Sequence, residues 1–403
     1  MRMETYRRMK RASLPVLGIL LIVALAAYGG RFLPQQLATP TSIVTPALLA
    51  GVAYAAEVFG QSHDEIVKRA VRETVSQAME WCSSAREDAE KVAAAAFRKR
   101  YPKVQIQWTR CAQPSHEYLL KHLQGGVVQY DLFPINNTTD MPVFLKAGVL
   151  ETGIRLKTLG FPPEFHTGDI PTDYVGDSGL VRDVGFSEMI KIVGPVLLYN
   201  RSKVPANRAP KKLQDCADPY WSGRFAAAAK PTDPSALGLP EFWGKPAMVN
   251  WLKKLAANKP IWTRNDTEAR SRLIAGEVPL LCPTRFDNAF SDSVTSENLA
   301  LVIPDDLGRK VAATEGNFFV IAKGTHAPNA ALLAGVFMAS RLAQEVLLTD
   351  PAARLRVSPS VPGSPQAKAL AGYQIVNTDR KPPSVMADLQ EAVKEAEGLP
   401  TTR

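Results

Sequence analysis

Polar and basic residues directly follow the segments that the sequence predicts to be buried strands. These residues are candidates for binding a ligand. Ser83 and Ser84 follow the first such strand, Arg110 the second, and Asn136 and Asn137 the third. In open α/β sheets, ligands bind beyond the carboxyl ends of the strands. The two serines would either cap the next helix only, or cap it and also contact an anion at the helix N-terminus.

A similar set occurs later in the chain. Thr232 and Ser235 lie in a loop that opens a helix, Thr284 and Arg285 follow an apolar strand, and Asn317 enters another strand. An arginine directly after an apolar strand and a proline suits planar recognition of a carboxylate or phosphate. The alternative for Arg285 is an ion pair on the surface or between two halves of the molecule. Arg110 offers the same chemistry more weakly.

The sequence lacks the patterns of common catalytic sites. G-x-S-x-G, H-E-x-x-H and G-x-G-x-x-G do not occur, and Gly244-Lys245 is followed by Pro246 instead of the Ser or Thr of a P-loop. Asp305 and Asp306 are adjacent on a strand-to-turn segment, so their side chains should point apart. No basic stripe is interleaved with aromatic residues. We therefore predict no catalytic residue, no cofactor, no metal and no nucleic-acid partner.

The chain has four cysteines, and two of them suggest a disulfide. Cys82 and Cys111 lie just past the first and second predicted strands, which should be neighbours about 4.8 Å apart. A disulfide needs a Cα separation of roughly 4.4–6.8 Å, so this pair is permitted; two thiols that line a cleft are the alternative. Cys216 and Cys282 offer no comparable argument, and the sequence predicts no bond between them.

Helical and strand patterns alternate in the first half of the chain. Ser84 and Glu87 form a capping box for the first of these helices, which Pro102 ends. The predicted strands and helices are strands 76–81, 104–109 and 127–134 and helices 85–100, 115–124 and 143–150. This alternation is the βαβ signature of a parallel sheet.

The second half continues with the same two kinds of element. The sequence predicts a surface loop over 160–180, because Gly, Pro and Asp are frequent there, and one long apolar strand over 190–199. Further strands are predicted at 225–229, 278–282, 299–304 and 317–323, and further helices at 248–257, 268–275 and from 328 through Ala339.

The N-terminus has the pattern of an export signal. Arg7, Arg8, Lys10 and Arg11 precede the apolar run 14–27, which at about fourteen residues is short for a membrane span. Cleavage would follow Ala55 or Ala56, or occur near Ala27; an uncleaved membrane anchor is the alternative. The net charge of the 403 residues is +9. Residues 1–56 carry six basic residues and one acidic residue, which leaves +4 for residues 57–403.

Three short motifs in the middle of the chain carry a family resemblance. They are Tyr199-Asn200, then Ala209-Pro210, then Asp218-Pro219-x-Trp221-x-Gly223-Arg224. Their order and spacing resemble the family 1 extracellular solute-binding proteins of bacterial ABC importers, in the ferric-ion-binding-like group. The helix start at His326-Ala327-Pro328 is also similar to that family. The resemblance covers about residues 75–350.

The resemblance implies an α/β fold with two doubly wound lobes joined by a hinge, the type 2 periplasmic-binding-protein fold, with the ligand in the cleft between the lobes. Residues 1–56 would form the signal or anchor, 74–190 with 305–350 lobe I, and 191–304 with 351–403 lobe II. The protein would act in the periplasm. In one alternative, residues 14–27 would tether it to the inner membrane. It would be a monomer that delivers a small solute to the permease subunits of an ABC transporter.

The sequence departs from the family at the ligand site. Ferric-binding members carry adjacent tyrosines in the loop after the lobe II strand, whereas residues 282–288 contain none and include Arg285. Fe(III) prefers anionic oxygen ligands, and an arginine at this position would repel a cation. We therefore expect an anionic or zwitterionic organic solute, or an oxyanion, instead of bare iron. The alternatives are a membrane-anchored sensory or solute-binding domain without a transporter, a Fe(III) binder with a site that lacks tyrosine, and an enzyme on the same fold.

Overall fold

The computed structural model describes the chain from residue 58 to residue 398, with gaps. The described residues are 58–83, 87–110, 117, 121–122, 124–135, 141–154, 159, 161–162, 165, 172–176, 179–192, 194–229, 232–304, 310–357, 359 and 361–398. They all belong to one compact unit, Thr45–Arg403. The predicted export signal or anchor, residues 1–56, lies outside the described residues.

Two β-sheets organise this unit. The strands are β1 Met79–Ser83, β2 Ile106–Arg110, β3 Leu132–Ile135, β4 Thr172–Gly176, β5 Gly179–Ile192, β6 Pro195–Asn200, β7 Phe225–Ala228, β8 Ile261–Thr263, β9 Leu280–Arg285, β10 Leu299–Val302, β11 Val311–Ile321 and β12 Gln374–Asn377. One sheet has the order β2-β1-β3-β11-β5-β4, with β12 beside β11; the other has the order β10-β6-β9-β7-β8. The chain passes between the sheets from β5 to β6 and again from β10 to β11.

Helices cover the sheets. The α-helices are α1 His63–Glu73, α2 Glu87–Arg100, α3 Met141–Ala147, α4 Thr232–Ser235, α5 Lys245–Ala257, α6 Asp266–Ile274, α7 Phe286–Thr295, α8 Pro328–Ala339, α9 Arg341–Thr349, α10 Pro365–Ala369 and α11 Pro383–Glu397. Helix α8 is apolar on all sides and has a proline at its first turn, as the sequence predicts, and its residues from Asn329 to Ala339 are buried.

Each sheet is buried on both faces, as parallel strands require. In the first sheet, β1 runs parallel to β2 and β3, and Trp81 and Cys82 point into different hydrophobic clusters. In the second sheet, β7 runs parallel to β8 and β9, and two further clusters flank it. The predicted α/β class with two doubly wound sheets is therefore confirmed.

The family-like motifs fold as turns and caps. Asn200 ends β6, and its Oδ1 accepts a hydrogen bond of 3.0 Å from the backbone nitrogen of Ser202. Asp218 Oδ1 accepts one of 2.8 Å from the nitrogen of Tyr220 and so caps the 3-10 turn Pro219–Trp221. Trp221 is buried, and Gly223 has a φ of 68°, which favours glycine. These motifs therefore specify local backbone geometry in the second sheet.

Several predicted elements are shifted or wrong. The segment 160–180 is not all surface loop, because it contains β4 and the start of β5; Gly176 pairs with Gly179, so the glycines mark a hairpin. The single strand over 190–199 is wrong as well, because β5 ends at Ile192 and β6 begins at Pro195. Strand β9 ends at Arg285, three residues beyond the predicted end.

The cysteines correct one expectation. Cys216 and Cys282, predicted to be unpaired, form a disulfide with a Cα–Cα distance of 6.3 Å across 66 residues. Tertiary packing brings the 3-10 turn Leu213–Ala217 against the middle of β9, which spacing along the sequence does not reveal. Cys82 is also disulfide-bonded. Its predicted partner Cys111 lies outside the described residues, so that pairing stays a prediction.

The C-terminal segment serves both sheets. Strand β12 pairs in parallel with β11 of the first sheet, although the sequence places 351–403 with lobe II. Helix α11 packs instead on α5 beside the second sheet. Among the described residues no single helix is long and apolar enough to cross a membrane, and α8 with α9 meets that criterion only as a pair bent by 58°.

Candidate functional site

The first sheet gathers three predicted site residues at one edge. Ser83 is the last residue of β1 and stands opposite Arg110, the last residue of β2. Next to them β3 ends at Ile135, which pairs with Phe318, directly after Asn317 on β11. Asn317 lies within β11, which begins at Val311, six residues before the strand start that the sequence predicts. Ser84, Asn136 and Asn137 lie outside the described residues.

The second sheet places Arg285 beside the connection between the sheets. Arg285 is the last residue of β9 and pairs with Pro195, the first residue of β6. Only two residues separate Pro195 from the end of β5, and a Cβ built on Gly194 would lie 3.6 Å from the backbone nitrogen of Ala313. Thr232 begins α4, after the carboxyl end of β7. The carboxyl end of β9 thus adjoins the crossing segments.

Two predicted ligand contacts are enclosed by protein. Thr284 is 2% exposed, and its hydroxyl donates a hydrogen bond of 2.6 Å to Asp266 Oδ1. Asn288 Nδ2 donates one of 2.6 Å to the other oxygen of the same carboxylate. Ser235 is fully buried in the second sheet's helical layer. In this arrangement Thr284 stabilises the junction between β9, α6 and α7.

Arg285 forms an ion pair within its own turn. Its Nε lies 3.5 Å from Asp287 Oδ1, and the side chains are only 11% and 7% exposed. This is the ion pair that the sequence offers as the alternative to a ligand contact, although it joins neighbouring residues instead of two halves of the molecule. A charge this strongly buried needs an opposite charge, which Asp287 provides.

Other charged side chains surround the same end of β9. Arg270 on α6 donates two hydrogen bonds of 2.5 Å to Asp292 on α7. Burial alone would lower the pKa of Arg270, but the hydrogen bonds and negative charge of Asp292 outweigh it and raise that pKa. Arg356 donates hydrogen bonds to Asn288 Oδ1 at 3.1 Å and to the carbonyl of Asp287 at 3.3 Å.

Sequence analysis missed this network because its members are far apart along the chain. Three arginines and three aspartates take part, so the formal charge of the set is zero; they are Arg270, Arg285, Arg356, Asp266, Asp287 and Asp292. One signal was available, namely the pattern Asn265-Asp266, in which Asn265 caps α6 and leaves Asp266 in its first turn. Nothing local indicates that Asp266 also accepts from Thr284.

A second polar cluster lies at the opposite end of the first sheet. Asp131 is buried at the start of β3, accepts a hydrogen bond of 2.6 Å from the nitrogen of Glu80, and lies 3.0 Å from His326 Nδ1. The hydroxyl of Thr325 donates to Asp131 and not to His326. In a catalytic triad the nucleophile's hydroxyl is hydrogen-bonded to the imidazole that acts as its base. Because the Thr325 hydroxyl is hydrogen-bonded to the carboxylate instead, these three residues do not form a triad, and their contacts stabilise the turn before α8.

Burial also perturbs a carboxyl group in this cluster. It raises the pKa of Glu80, and the nearby charge of Asp131 raises it further, while His326 acts in the opposite direction. Across the described ranges, no group of three or more His, Cys, Asp or Glu side chains is placed to hold a metal ion.

Comparison with known proteins places the fold. No family model matches the chain. It is 35% identical over 85 residues to an Fe(3+)-binding periplasmic protein of Serratia marcescens, covering 21% of this chain and 25% of that protein. The chain thus spans about a quarter of the length of that curated relative.

Solved structures match over most of the chain. A substrate-binding protein of an ABC transporter from Agrobacterium tumefaciens has a TM-score of 0.60 at 13% identity, covering 80% of this chain and 95% of that one. AfuA from Actinobacillus pleuropneumoniae, with fructose-6-phosphate bound, has a TM-score of 0.58 at 16% identity, and the match covers 80% of this chain and 99% of that one. Iron-bound HitA from Pseudomonas aeruginosa has a TM-score of 0.52 at 19% identity, and the match covers 78% of this chain and 99% of that one.

The chain therefore has the two-lobed fold of the type 2 periplasmic binding proteins. The resemblance seen in the sequence motifs is confirmed, since the curated relative and AfuA are periplasmic binding proteins and the Agrobacterium structure is a substrate-binding protein of an ABC transporter. The ligands described for these structures differ, since HitA holds iron and AfuA holds fructose-6-phosphate.

Proposed function

We propose that this protein is an exported solute receptor that closes its two lobes on a small anionic or zwitterionic ligand and delivers it to the permease of an ABC importer. The observation that carries the proposal is the position of Arg285. It ends β9, the central strand of the second sheet, next to the segment that connects the two sheets. In this fold class a hinge beside the ligand site allows binding energy to close the lobes.

Arg285 and Asp287 bear on the class of ligand. The ion pair supplies one positive and one negative group at the carboxyl edge of the second sheet. An ammonium–carboxylate ligand could exchange partners with both groups, whereas a dianion would face Asp287 as well as Arg285. The pair therefore favours a zwitterion or a monoanion over a dianion.

Ferric iron is the second candidate, because the curated relative and HitA are named for iron. The described end of β9 argues against it. Residues 282–288 contain no tyrosine, and Arg285 would repel a cation. The described residues also contain no cluster of three metal-ligating side chains.

Thermal unfolding of residues 45–403 with a panel of solutes tests the proposal. The panel should include zwitterionic amino acids, monoanionic and dianionic organic acids, sugar phosphates, neutral sugars and ferric citrate. A specific ligand at a hundredfold excess over its Kd raises stability by about 2.7 kcal/mol. Stabilisation by ferric citrate alone would establish the iron receptor, and a panel without any stabilising solute would contradict a solute receptor of either kind.

A further inference from the structure

The motif segment 200–224 carries an excess of positive charge. It contains six basic and two acidic residues, a net charge of +4. Residues 57–403 as a whole also have a net charge of +4, so the rest of that region is neutral. The family-like motifs explain the turns of this segment but not its basic residues.

Both acidic residues of the segment are used by the backbone. Asp215 Oδ2 accepts hydrogen bonds from the nitrogens of Lys211 and Lys212, at 2.7 and 3.0 Å. Asp218 Oδ1 accepts from the nitrogen of Tyr220 at 2.8 Å. The carboxylates therefore fix the loop, while the side chains of both lysines are exposed.

Two arginines meet on one aromatic ring. The guanidinium carbons of Arg208 and Arg224 lie 4.8 and 4.6 Å from the ring centre of Tyr220, and both arginines are exposed. None of the cations Arg208, Lys211, Lys212 and Arg224 forms an ion pair with any residue that the structure describes. We call these four cations with Tyr220 the basic platform.

The basic platform is rigidly mounted. The Cys216–Cys282 disulfide links its loop to β9, Trp251 Nε1 donates to the carbonyl of Leu213 at 3.1 Å, and Asn258 Nδ2 donates to the carbonyl of Cys216 at 2.8 Å. Arg224 directly precedes β7, so the platform lies at the amino end of that strand, away from the carboxyl edge of the candidate ligand site.

We propose that the basic platform binds the phosphate headgroups of an anionic phospholipid bilayer. Arginine pairs with phosphate in a planar, bidentate way, and a tyrosine ring suits the membrane interface. Each Lys or Arg near an anionic membrane surface strengthens binding by a factor of about five. Because Trp221 is buried, the association is electrostatic and does not insert a large apolar side chain. It leaves the ligand site open and keeps the receptor at the membrane surface.

Co-sedimentation of residues 45–403 with vesicles tests this site independently of any solute. We expect binding to vesicles of 30% phosphatidylglycerol in phosphatidylcholine, none to pure phosphatidylcholine, and loss at high salt. The variant Lys211→Glu/Lys212→Glu should bind at least about 30-fold more weakly. Lys68→Glu/Lys99→Glu is the matched control, because it makes the same charge change at two exposed lysines on α1 and α2.

Equal losses in the two double variants would overturn the proposal, because the effect would then follow net charge alone. Binding to neutral vesicles, or no binding to anionic vesicles at physiological salt, would overturn it as well. Competition by millimolar inorganic phosphate at constant ionic strength would assign the platform to a free phosphate instead of a bilayer. The arginine variant Arg208→Gln/Arg224→Gln should also lose vesicle binding while its unfolding temperature stays close to that of the wild type.

Discussion

Arg285 lies 3.5 Å from the carboxylate of Asp287 at the end of β9, with only 11% of its side chain exposed. Replacement with alanine removes both a counter-ion of Asp287 and the proposed contact to the ligand. We expect Arg285→Ala to weaken solute binding by about 1.5–3 kcal/mol in calorimetry, the usual range for a hydrogen bond to a charged group. Arg264→Ala, at an exposed arginine before α6, should leave affinity unchanged. Unchanged affinity in Arg285→Ala would leave Arg285 with a structural role only.

For Thr284 we expect an effect on stability and not on affinity, because its hydroxyl donates a hydrogen bond to the buried Asp266. Thr284→Val keeps the shape of the side chain but leaves that carboxylate without one of its donors. The free energy of unfolding should fall by about 1–3 kcal/mol in urea titration. The exposed Thr295→Val should change it by less than about 0.5 kcal/mol. If Thr284→Val lost affinity while stability stayed the same, Thr284 would be a ligand contact after all.

At the scale of elements, the Cys216–Cys282 disulfide ties the motif segment to β9. It closes a loop of 66 residues, for which the chain-entropy model gives a stabilisation of about 4 kcal/mol. We expect Cys216→Ala/Cys282→Ala to lose about that much unfolding free energy without reductant, while the disulfide of Cys82 stays intact. A loss below 1 kcal/mol would show that the loop is already ordered in the unfolded chain.

Helix α8 begins on a partly buried carboxylate. Glu73 accepts hydrogen bonds from Asn329 Nδ2 at 2.6 Å and from the backbone nitrogens of Asn329 and Ala330 at 2.9 and 3.2 Å. Burial outweighs these bonds and raises the pKa of Glu73 above its usual 4.5. The folded state then holds the proton more tightly than the unfolded state. The stability that Glu73 contributes is therefore full below pH 4.5 and falls as the pH rises through the folded pKa.

Glu73→Gln should remove this pH dependence. We expect the unfolding free energy of the wild type, relative to the variant, to decrease from pH 4 to pH 7 in urea titrations at several pH values. Glu345→Gln, at an exposed glutamate on α9, serves as the control and should run parallel to the wild type. A difference that increases with pH would mean that the hydrogen bonds, and not burial, dominate at Glu73.

At the scale of the molecule, two strand-to-strand crossings connect the two sheets, β5 to β6 and β10 to β11, and the chain returns to the second sheet a third time between β12 and α11. Such a layout permits the lobes to move as bodies. With a solute that stabilises the protein, small-angle scattering should show a smaller radius of gyration than without it. Solutes that do not change the unfolding temperature should leave the radius unchanged. A constant radius with a tight ligand would mean that the site is already closed.

The sequence by itself determined the class of fold and the positions of several turns and helix starts. The alternation of apolar runs with capped helices identifies a parallel α/β core, because burial on both faces requires such runs. Asn200, Asp218, Gly223 and Pro328 predict turns and helix starts, since their effects operate within a few residues. Chain order also put Ser83 and Arg110 at the same sheet edge.

Only the tertiary structure decided how distant charges and sulfurs combine. Asp266 meets Thr284 across 18 residues, and Cys216 meets Cys282 across 66, through packing of elements whose register no local pattern fixes. The extension of β9 to Arg285 was likewise set by pairing with β6, although the sequence suggested an earlier end. Short-range propensity acts within a turn or a strand, whereas an ion pair or a disulfide depends on the relative placement of whole elements.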